Sequence, residues 1–269
     1  MIYEKFQPAA ALQPYVMCYY ILEHSHYISD AVELHLPPSG LAGLVFNYED
    51  AAWVLHANGK STQVPHCFIA GQFKRNYSLQ LKGKVGMLGV VFWPAALPRL
   101  FGIPMIEFTE KRVDLSLIIG HEAEILRQQI LACEHPLSRI RILEQYLLHK
   151  LYQVSPSLDI VDCAVKTILD QRGILSIRQL SDDLHISSRQ FCRRFTEKVG
   201  ITPKRFARIK RFNYISQLVL ADSNEWLDVV FEGGYYDQSH FIRDFCEFSG
   251  KNPSEFMNYK RKLSHMMEG

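Results

Sequence analysis

The chain of 269 residues has no long hydrophobic run and little excess of either charge. Its longest fairly apolar runs, residues 16–22 and 85–93, are far shorter than the roughly 18 residues that a membrane span needs. None of the six cysteines forms a CxxC pair, so neither a zinc ribbon nor a disulfide framework is indicated. The N-terminus, MIYEKFQPAAALQPY, lacks a basic stretch followed by an apolar core, which is the pattern of a signal peptide. We therefore expect no membrane partner, and reduced thiols in a cytoplasm.

Patterns typical of enzyme active sites are also missing. We find no nucleophile–base constellation, no glycine-rich phosphate loop and no paired carboxylates at a useful spacing. His24 and His26, with Glu33 and His35 later, have only a loose likeness to a metal site, and loop histidines are the better interpretation. We therefore expect neither an enzyme nor a bound metal or cofactor.

The charge is distributed unevenly along the chain. Residues 1–154 contain 13 Lys and Arg against 13 Asp and Glu, whereas residues 155–269 contain 17 against 15. Within residues 189–211, nine basic side chains stand against one acid, Glu197. Such a local excess indicates a surface for a polyanion. The alternative is a solvated helix face, although such faces usually mix both signs.

The first ninety residues predict a β-rich domain, a barrel or a sandwich. Asn58-Gly59 predicts a hairpin turn, and Lys82-Gly83-Lys84 predicts a break between strands. The expected strands are residues 15–23, 32–36, 41–48, 51–57, 67–70, 77–81 and 85–93.

Helical periodicity replaces the strand pattern after Pro94, with helices expected at 95–101, 121–133 and 136–153. The last of these carries more apolar residues than one packing partner needs. A second subunit could cover the excess, and burial within one chain explains it equally well. Residues 154–157 (VSPS) mark a domain boundary, so we divide the chain into 1–154 and 155–269. Beyond that boundary helices are expected at 160–169, 176–184, 187–199, 203–222 and about 224–233, with Ser176, Ser187 and Thr202 as N-caps.

Two segments of the C-terminal half repeat each other at a constant offset of 50 residues. In each copy, two phenylalanines four residues apart favour one buried helix face, a glycine ends that helix and a proline begins the next. The matched positions are Phe191, Arg193, Phe195, Gly200, Pro203, Phe206, Lys210 and Arg211, repeated as Phe241, Arg243, Phe245, Gly250, Pro253, Phe256, Lys260 and Arg261.

A short helix and a tight turn precede each copy, which is the pattern of a helix-turn-helix unit whose second helix can enter a DNA major groove. The connecting helix of about 19 residues would be about 28 Å long. Successive major grooves on one face of DNA lie about 34 Å apart. One rigid helix could therefore carry two reading helices for one site.

The segment from about Ile160 to Lys262 resembles the DNA-binding domain of the AraC/XylS family of bacterial transcription regulators. The most specific stretch is residues 234–241, GYYDQSHF. The resemblance implies recognition helices near 188–199 and 238–249, and an N-terminal half that senses an effector or mediates dimerisation. That half is compatible with a cupin-like regulatory domain, so the expected fold class is α+β. The chain departs from the family pattern at Ser181, His185, Val230, Cys246, Glu247 and Ser249.

We expect sequence-specific binding to double-stranded DNA, with Arg193 and Arg243 pairing with guanine; a phosphate contact or a surface salt bridge is the alternative. RNA polymerase, a small-molecule effector and a second copy of the chain are further candidate partners. The competing hypothesis is a cupin-like metal-dependent enzyme or ligand-binding domain fused to a DNA-binding tail. The expected DNA-binding residues are Ser188, Arg189, Cys192, Arg193, Thr196, Lys204, Arg208, Gln238, Ser239, His240, Ile242 and Arg243. The candidate effector pocket comprises Phe46, Trp53, Phe73, Arg75 and Trp93, for which plain core packing is the alternative.

Overall fold

The computed structural model describes residues 1–56, 58–154, 159–221 and 232–259. Within these ranges the first half forms an eight-stranded antiparallel sheet in the order β1-β2-β7-β3-β6-β8, with β4 pairing to β5 and β7. The expected α+β class, β-rich first and helical afterwards, is confirmed. The strands are β1 (Ile2–Phe6), β2 (Val16–Leu36), β3 (Ala42–Asn47), β4 (Trp53–Leu55), β5 (Ser61–Gln63), β6 (Cys67–Ala70), β7 (Tyr77–Phe92) and β8 (Arg112–Asp114).

A long β2–β7 pair organises the sheet and corrects two predictions. Residues 15–23 and 32–36 were expected as separate strands, but β2 runs through both, with register shifts on either side of Ile28. The break expected at Lys82-Gly83-Lys84 is also wrong, because β7 continues and Gly83 pairs with Ile28. Gly83 has a φ of +85°, so the glycine bends the strand without ending it.

The turn expected at Asn58-Gly59 is confirmed between β4 and β5. The Gly59 N–H donates to the His56 carbonyl over 2.9 Å, and Asn58 Oδ1 accepts from the Lys60 N–H over 3.0 Å. The strand expected at 51–57 is limited to β4 among the described residues. We did not predict β1, β5 or β8, because these short strands have no clear alternation of buried and exposed residues.

Four helices pack against the sheet in the first half; three lie close to the predicted bounds, and the short α2 was not predicted. Leu143 and Leu147 of the longest are fully buried, and Ile142, Tyr146 and Leu148 are partly buried against the same core. Most of the apolar surface of that helix is therefore covered within the chain. The helices are α1 (Ala96–Phe101), α2 (Ser116–Ile119), α3 (Glu122–Leu131) and α4 (Pro136–Tyr152), and a 3₁₀ turn spans Met105–Phe108.

The second half is helical as expected. Ser176, Ser187 and Thr202 accept hydrogen bonds from the N–H groups of Gln179, Gln190 and Arg205, which confirms all three N-caps. The helix expected near 224–233 lies mostly outside the described residues, and so does most of the boundary at 154–157. The helices are α5 (Ile160–Asp170), α6 (Ile177–Asp183), α7 (Ser188–Val199), α8 (Pro203–Ala221), α9 (Gln238–Ser249) and α10 (residues 253–259). None of the helices described has the length and apolar character that a membrane crossing requires.

The turn between α6 and α7 contains a strained residue. His185 has a φ of +51°, in the left-handed region that favours glycine. His185→Gly relieves this strain, so we expect the free energy of unfolding to rise by about 0.5–1 kcal/mol. Urea unfolding of the full chain measures the change. The matched control is the exposed helical residue Arg178, because Arg178→Gly should lower stability. A loss of stability in His185→Gly would show that the imidazole makes a compensating contact.

Candidate nucleic-acid interface

The two recognition helices, α7 and α9, are built alike. Ser187 caps α7, and Asp237 caps α9 by accepting from the His240 N–H over 2.7 Å. Gly200 and Gly250 end the two helices in the left-handed conformation. The repeat noticed in the sequence therefore sets the bounds of both helices through local caps.

The repeated phenylalanines fix the roll of each recognition helix. The Phe191 and Phe195 rings are buried 5.7 Å apart, and the Phe241 and Phe245 rings are buried 5.5 Å apart. In the first copy Phe206 lies 5.6 Å from Phe195, and its repeat counterpart lies 5.3 Å from Phe245. Because one face of each helix is anchored in this way, the opposite face must point to solvent.

On α7, the outward face carries Arg189 and Arg193, both exposed. Ser188 is exposed at the start of the helix, but its Oγ lies 3.2 Å from that of the buried Ser181, on the side away from this face. Cys192 and Thr196 are half-buried, and Thr196 Oγ1 donates to the Cys192 carbonyl over 2.7 Å. The two exposed arginines are therefore available to a ligand without rearrangement, whereas Cys192 and Thr196 lie at the edge of the face.

On α9, Ser239 and Arg243 on the outward face and Gln238 beside it, at the start of the helix, are all exposed. Ile242 beside them is 37% exposed. His240 is half-buried, with its ring 5.2 Å from that of Tyr235. The outward face thus offers one cation, two neutral polar groups and an apolar side chain.

Only part of the basic cluster at 189–211 is exposed. Lys198 pairs with Asp159, and Lys210 lies against the first half of the chain, where its Nζ donates to the Ser39 carbonyl over 2.9 Å. Burial lowers the pKa of Lys210 to about 8. The exposed cations of the cluster are Arg189, Arg193, Arg194 and Lys204.

Three further arginines of the cluster pair with acids on α9. Arg205 and Arg208 both pair with Glu247, and Arg208 Nη2 lies 2.7 Å from Asp244 Oδ1. Arg211 Nη2 lies 2.9 Å from Asp244 Oδ2. We call these five side chains the α8–α9 ion-pair network. No sequence pattern indicates it, because the partners are 33 to 42 residues apart.

Electrostatics make this network sensitive to acid. Burial alone would raise the pKa of Asp244, whose side chain is 4% exposed, but the guanidinium groups of Arg208 and Arg211 outweigh it and lower the pKa. The carboxylate therefore stabilises the fold above its unfolded pKa of about 3.9. That contribution is lost as the pH falls through the lowered folded pKa.

Two family models match separate segments of the chain. Residues 180–259 match the family model described as a helix-turn-helix domain, and residues 4–114 match a domain of unknown function, DUF6597. The C-terminal segment is an AraC-type helix-turn-helix domain. This type of domain binds DNA in transcription regulators.

Solved structures resemble the chain only weakly. An apo form of a ToxT variant from Vibrio cholerae is 11% identical, with a TM-score of 0.47, over 89% of this chain and 96% of that one. The C-terminal domain of AraT, a response regulator from Geobacillus stearothermophilus, is 20% identical, with a TM-score of 0.36, over 39% of this chain and 88% of that one. No curated protein matches the chain. The assignment of the AraC-type domain therefore depends on the family model and on the repeat.

Local substitutions in the AraC-type domain have structural compensations. Ser181, where the family usually has alanine, is buried, and its Oγ donates to the Arg178 carbonyl over 2.8 Å. Ser249 replaces the usual aromatic residue and donates to the Phe245 carbonyl over 2.7 Å. Phe248 is buried beside it, with its ring 5.4 Å from that of Phe212. Phe248 therefore supplies the aromatic packing that Ser249 cannot.

The first half of the chain contacts the AraC-type domain near the C-terminal end of each recognition helix. Thr109 Oγ1 donates to the Gly200 carbonyl over 2.7 Å. A Cβ added at Gly200 would lie 2.8 Å from Thr109 Oγ1, and one added at Gly250 would lie 2.6 Å from Asn76 Nδ2. These close approaches leave the outward faces at the helix N-termini uncovered.

The connecting helix α8 also contacts the first half. The Ser39 carbonyl accepts from Lys210 Nζ and, over 3.0 Å, from Asn213 Nδ2. Arg205 donates to the Lys74 carbonyl. The first half therefore contacts both recognition helices and the helix between them.

The candidate effector residues do not gather in one place. Phe73 lines a cavity of about 470 Å³ inside the sheet, whereas Phe46, Trp53, Arg75 and Trp93 are not among its lining residues. Phe46 is fully buried in the core, and Arg75 is exposed. Trp93 Nε1 donates to the Gln13 carbonyl over 3.1 Å.

The loose histidine pattern does not form a metal site in the described residues, where no group of three or more His, Cys, Asp or Glu side chains is placed to hold a metal ion. The His24 and His26 rings lie 5.9 Å apart. His35 Nδ1 lies 2.8 Å from Ser78 Oγ and 3.5 Å from Glu33 Oε1.

Arg208 and Lys204 provide a matched test, because both were expected to contact DNA and only Arg208 lies in the ion-pair network. Arg208→Ala leaves Asp244 with Arg211 alone, and we expect it to lower the free energy of unfolding by about 1–3 kcal/mol. Lys204→Ala should change stability by less than about 0.5 kcal/mol. It should also reduce by about one the magnitude of the slope of the logarithm of the DNA-binding constant against the logarithm of the salt concentration.

Urea unfolding and DNA-binding titrations across a salt series measure both quantities. An Arg208→Ala variant with unchanged stability and a shallower salt slope would contradict the network. It would return Arg208 to the phosphate contact expected from the sequence.

Proposed function

We propose that the chain is a sequence-specific transcription regulator that inserts α7 and α9 into adjacent major grooves of one DNA site. The observation that carries this proposal is the equivalent placement of Arg193 and Arg243. Each is exposed on a capped helix whose opposite face is held by two buried phenylalanines. Two equivalent cations at a repeat offset suit two equivalent half-sites.

The length of α8 suits this mode of binding. With 19 residues, α8 is about 28 Å long at 1.5 Å per residue. Adjacent major grooves on one face of DNA are about 34 Å apart.

The proposed contacts divide into base reading and backbone positioning. Arg193 and Arg243 would pair with the guanine O6 and N7 acceptors, and Gln238 with adenine. Ile242 offers an apolar surface to a thymine methyl group. Backbone or edge contacts are assigned to Ser188, Arg189, Cys192, Thr196, Lys204, Ser239 and His240. Arg208 would act differently, by holding α9 through Asp244 and Glu247.

We further propose that the first half, residues 1–154, regulates the DNA-binding domain, residues 155–269, through contacts at Gly200, Gly250 and α8. A shift of the first half would change the angle between the recognition helices. The groove geometry of DNA is fixed, so such a change would alter affinity for a two-groove site. RNA polymerase remains a candidate partner.

Substitutions at Arg193 and Arg194 distinguish base recognition from general electrostatic attraction. Both are exposed on α7, but Arg193 points directly away from Phe191 and Phe195, whereas Arg194 lies on the flank. We expect Arg193→Ala to lose about 1–3 kcal/mol of discrimination at one base pair. Arg194→Ala, which removes the same charge, should lower the affinity for all DNA sequences by a similar factor.

The measurement is a matrix of these variants, with Arg243→Ala, against single base-pair variants of a site found by genome-wide mapping. Arg243→Ala should cost less total affinity than Arg193→Ala, because fewer exposed cations support α9. Unchanged affinity and base preference in Arg193→Ala would contradict the proposed orientation of α7.

A second copy of the chain is a further proposed partner. Most apolar residues of α4 pack within the chain, but Leu117, Ile125, Leu131 and Leu137 on α2, α3 and α4 are exposed. If these residues meet a second copy, sedimentation velocity of the full chain at micromolar concentration should show a concentration-dependent dimer. Leu137→Glu should shift the equilibrium to monomer. A wild-type chain that stays monomeric would contradict the dimer.

A further inference from the structure

The cavity inside the sheet has a composition suited to a mainly apolar ligand. Its volume of about 470 Å³ lies in the usual range for small-molecule sites. Most lining side chains are aliphatic or aromatic, among them Leu34, Val64, Phe68 and Met87. Arg112 on β8 is the one charged side chain among the lining residues described.

Arg112 is an unusual neighbour for such a cavity. Its guanidinium carbon lies 4.5 Å from the ring centres of both Phe73 and Tyr77, which are themselves 4.5 Å apart. The group therefore lies against two neighbouring aromatic side chains that also line the cavity. Its Nη2 atom is buried without a hydrogen-bond partner in the part of the chain that the structure describes. The planar guanidinium of Arg112 can donate two parallel hydrogen bonds, so at the wall of an apolar cavity it can bind a carboxylate or a similar anion.

The charge and the unpaired donor of Arg112 favour an anionic ligand in the cavity. Burial lowers the pKa of Arg112, while the Tyr77 hydroxyl and Glu110 act in the opposite direction. A guanidinium nevertheless keeps its proton in proteins. Arg112 is partly buried, but its buried Nη2 donor has no partner among the described residues, and such a donor destabilises a fold unless a ligand completes its hydrogen bond.

We propose that this cavity binds an apolar molecule with a single anionic group, whose anion pairs with Arg112 and whose body fills the space among the aliphatic side chains. The inference rests on the proposed function only in giving such a ligand a regulatory role. Pro37, Pro38, Ser39 and Leu41 line the cavity, and the Ser39 carbonyl is the acceptor for Lys210 and Asn213 of α8. A bound ligand is therefore one loop away from the connecting helix.

Two fluorescent probes test the inference in the full chain without DNA. Anilinonaphthalene sulfonate is an apolar monoanion, and N-phenylnaphthylamine is its uncharged counterpart. We expect one sulfonate probe to bind per chain, decanoate to displace it and decanol to displace it at least tenfold less effectively. Equal affinity for the two probes and equal displacement by decanoate and decanol would overturn the proposal, and this comparison needs no variant.

Variants locate the site. Arg112→Gln should lower the binding affinity of the sulfonate probe by about tenfold to a hundredfold, because a hydrogen bond to a charged group contributes about 1.5–3 kcal/mol. The affinity of the variant for the neutral probe should stay within twofold of the wild-type value. Arg75→Gln, at an exposed arginine outside the cavity, should change neither. Ala70→Leu, which extends a lining side chain beside Arg112, should weaken both probes.

An Arg112→Gln variant that binds the sulfonate probe as tightly as the wild type would overturn the proposal. Because DNA is absent from the assay, a failure of DNA binding leaves this result unaffected. Conversely, loss of the anion site would leave the assignment of the recognition helices intact.

Discussion

Two carboxylates on α9, Asp244 and Glu247, meet three guanidinium groups on α8, and the orientation of the second recognition helix depends on that contact. Asp244 is buried, so its charge is tolerable only while Arg208 and Arg211 remain in place. Phe212 adds an apolar anchor beside them, with its ring 5.1 Å from that of Phe245. The α8–α9 ion-pair network and this aromatic contact thus hold α9 in its orientation on α8.

The α8–α9 ion-pair network also reduces the number of cations that the basic cluster can offer to DNA. Nine basic residues in a short segment suggest a broad surface for phosphates, yet several of them neutralise acids of the same chain. What remains exposed is a small set around Arg193 and Lys204. DNA binding by the first unit would then depend on a few well-placed cations and less on general electrostatic attraction.

Sequence reasoning located the recognition helices because their signals are local. Ser187 and Gly200 mark the ends of α7, and the phenylalanine spacing marks its buried face. The α8–α9 network escaped prediction, because nothing in a single sequence pairs Arg208 with an acid 36 residues away. The cavity was missed for a similar reason: Phe73 and Arg112 meet only through strand pairing, and the aromatic residues first chosen belong mainly to the core or the surface.

The central claim is that α7 and α9 read one DNA site from one face, with α8 fixing their separation. Guanine-methylation interference on a bound site tests this most directly, since it reports major-groove contacts base by base. The account predicts two segments of interference centred about 10 base pairs apart, which is one helical turn. A single segment, or two segments on opposite faces of the DNA, would contradict it.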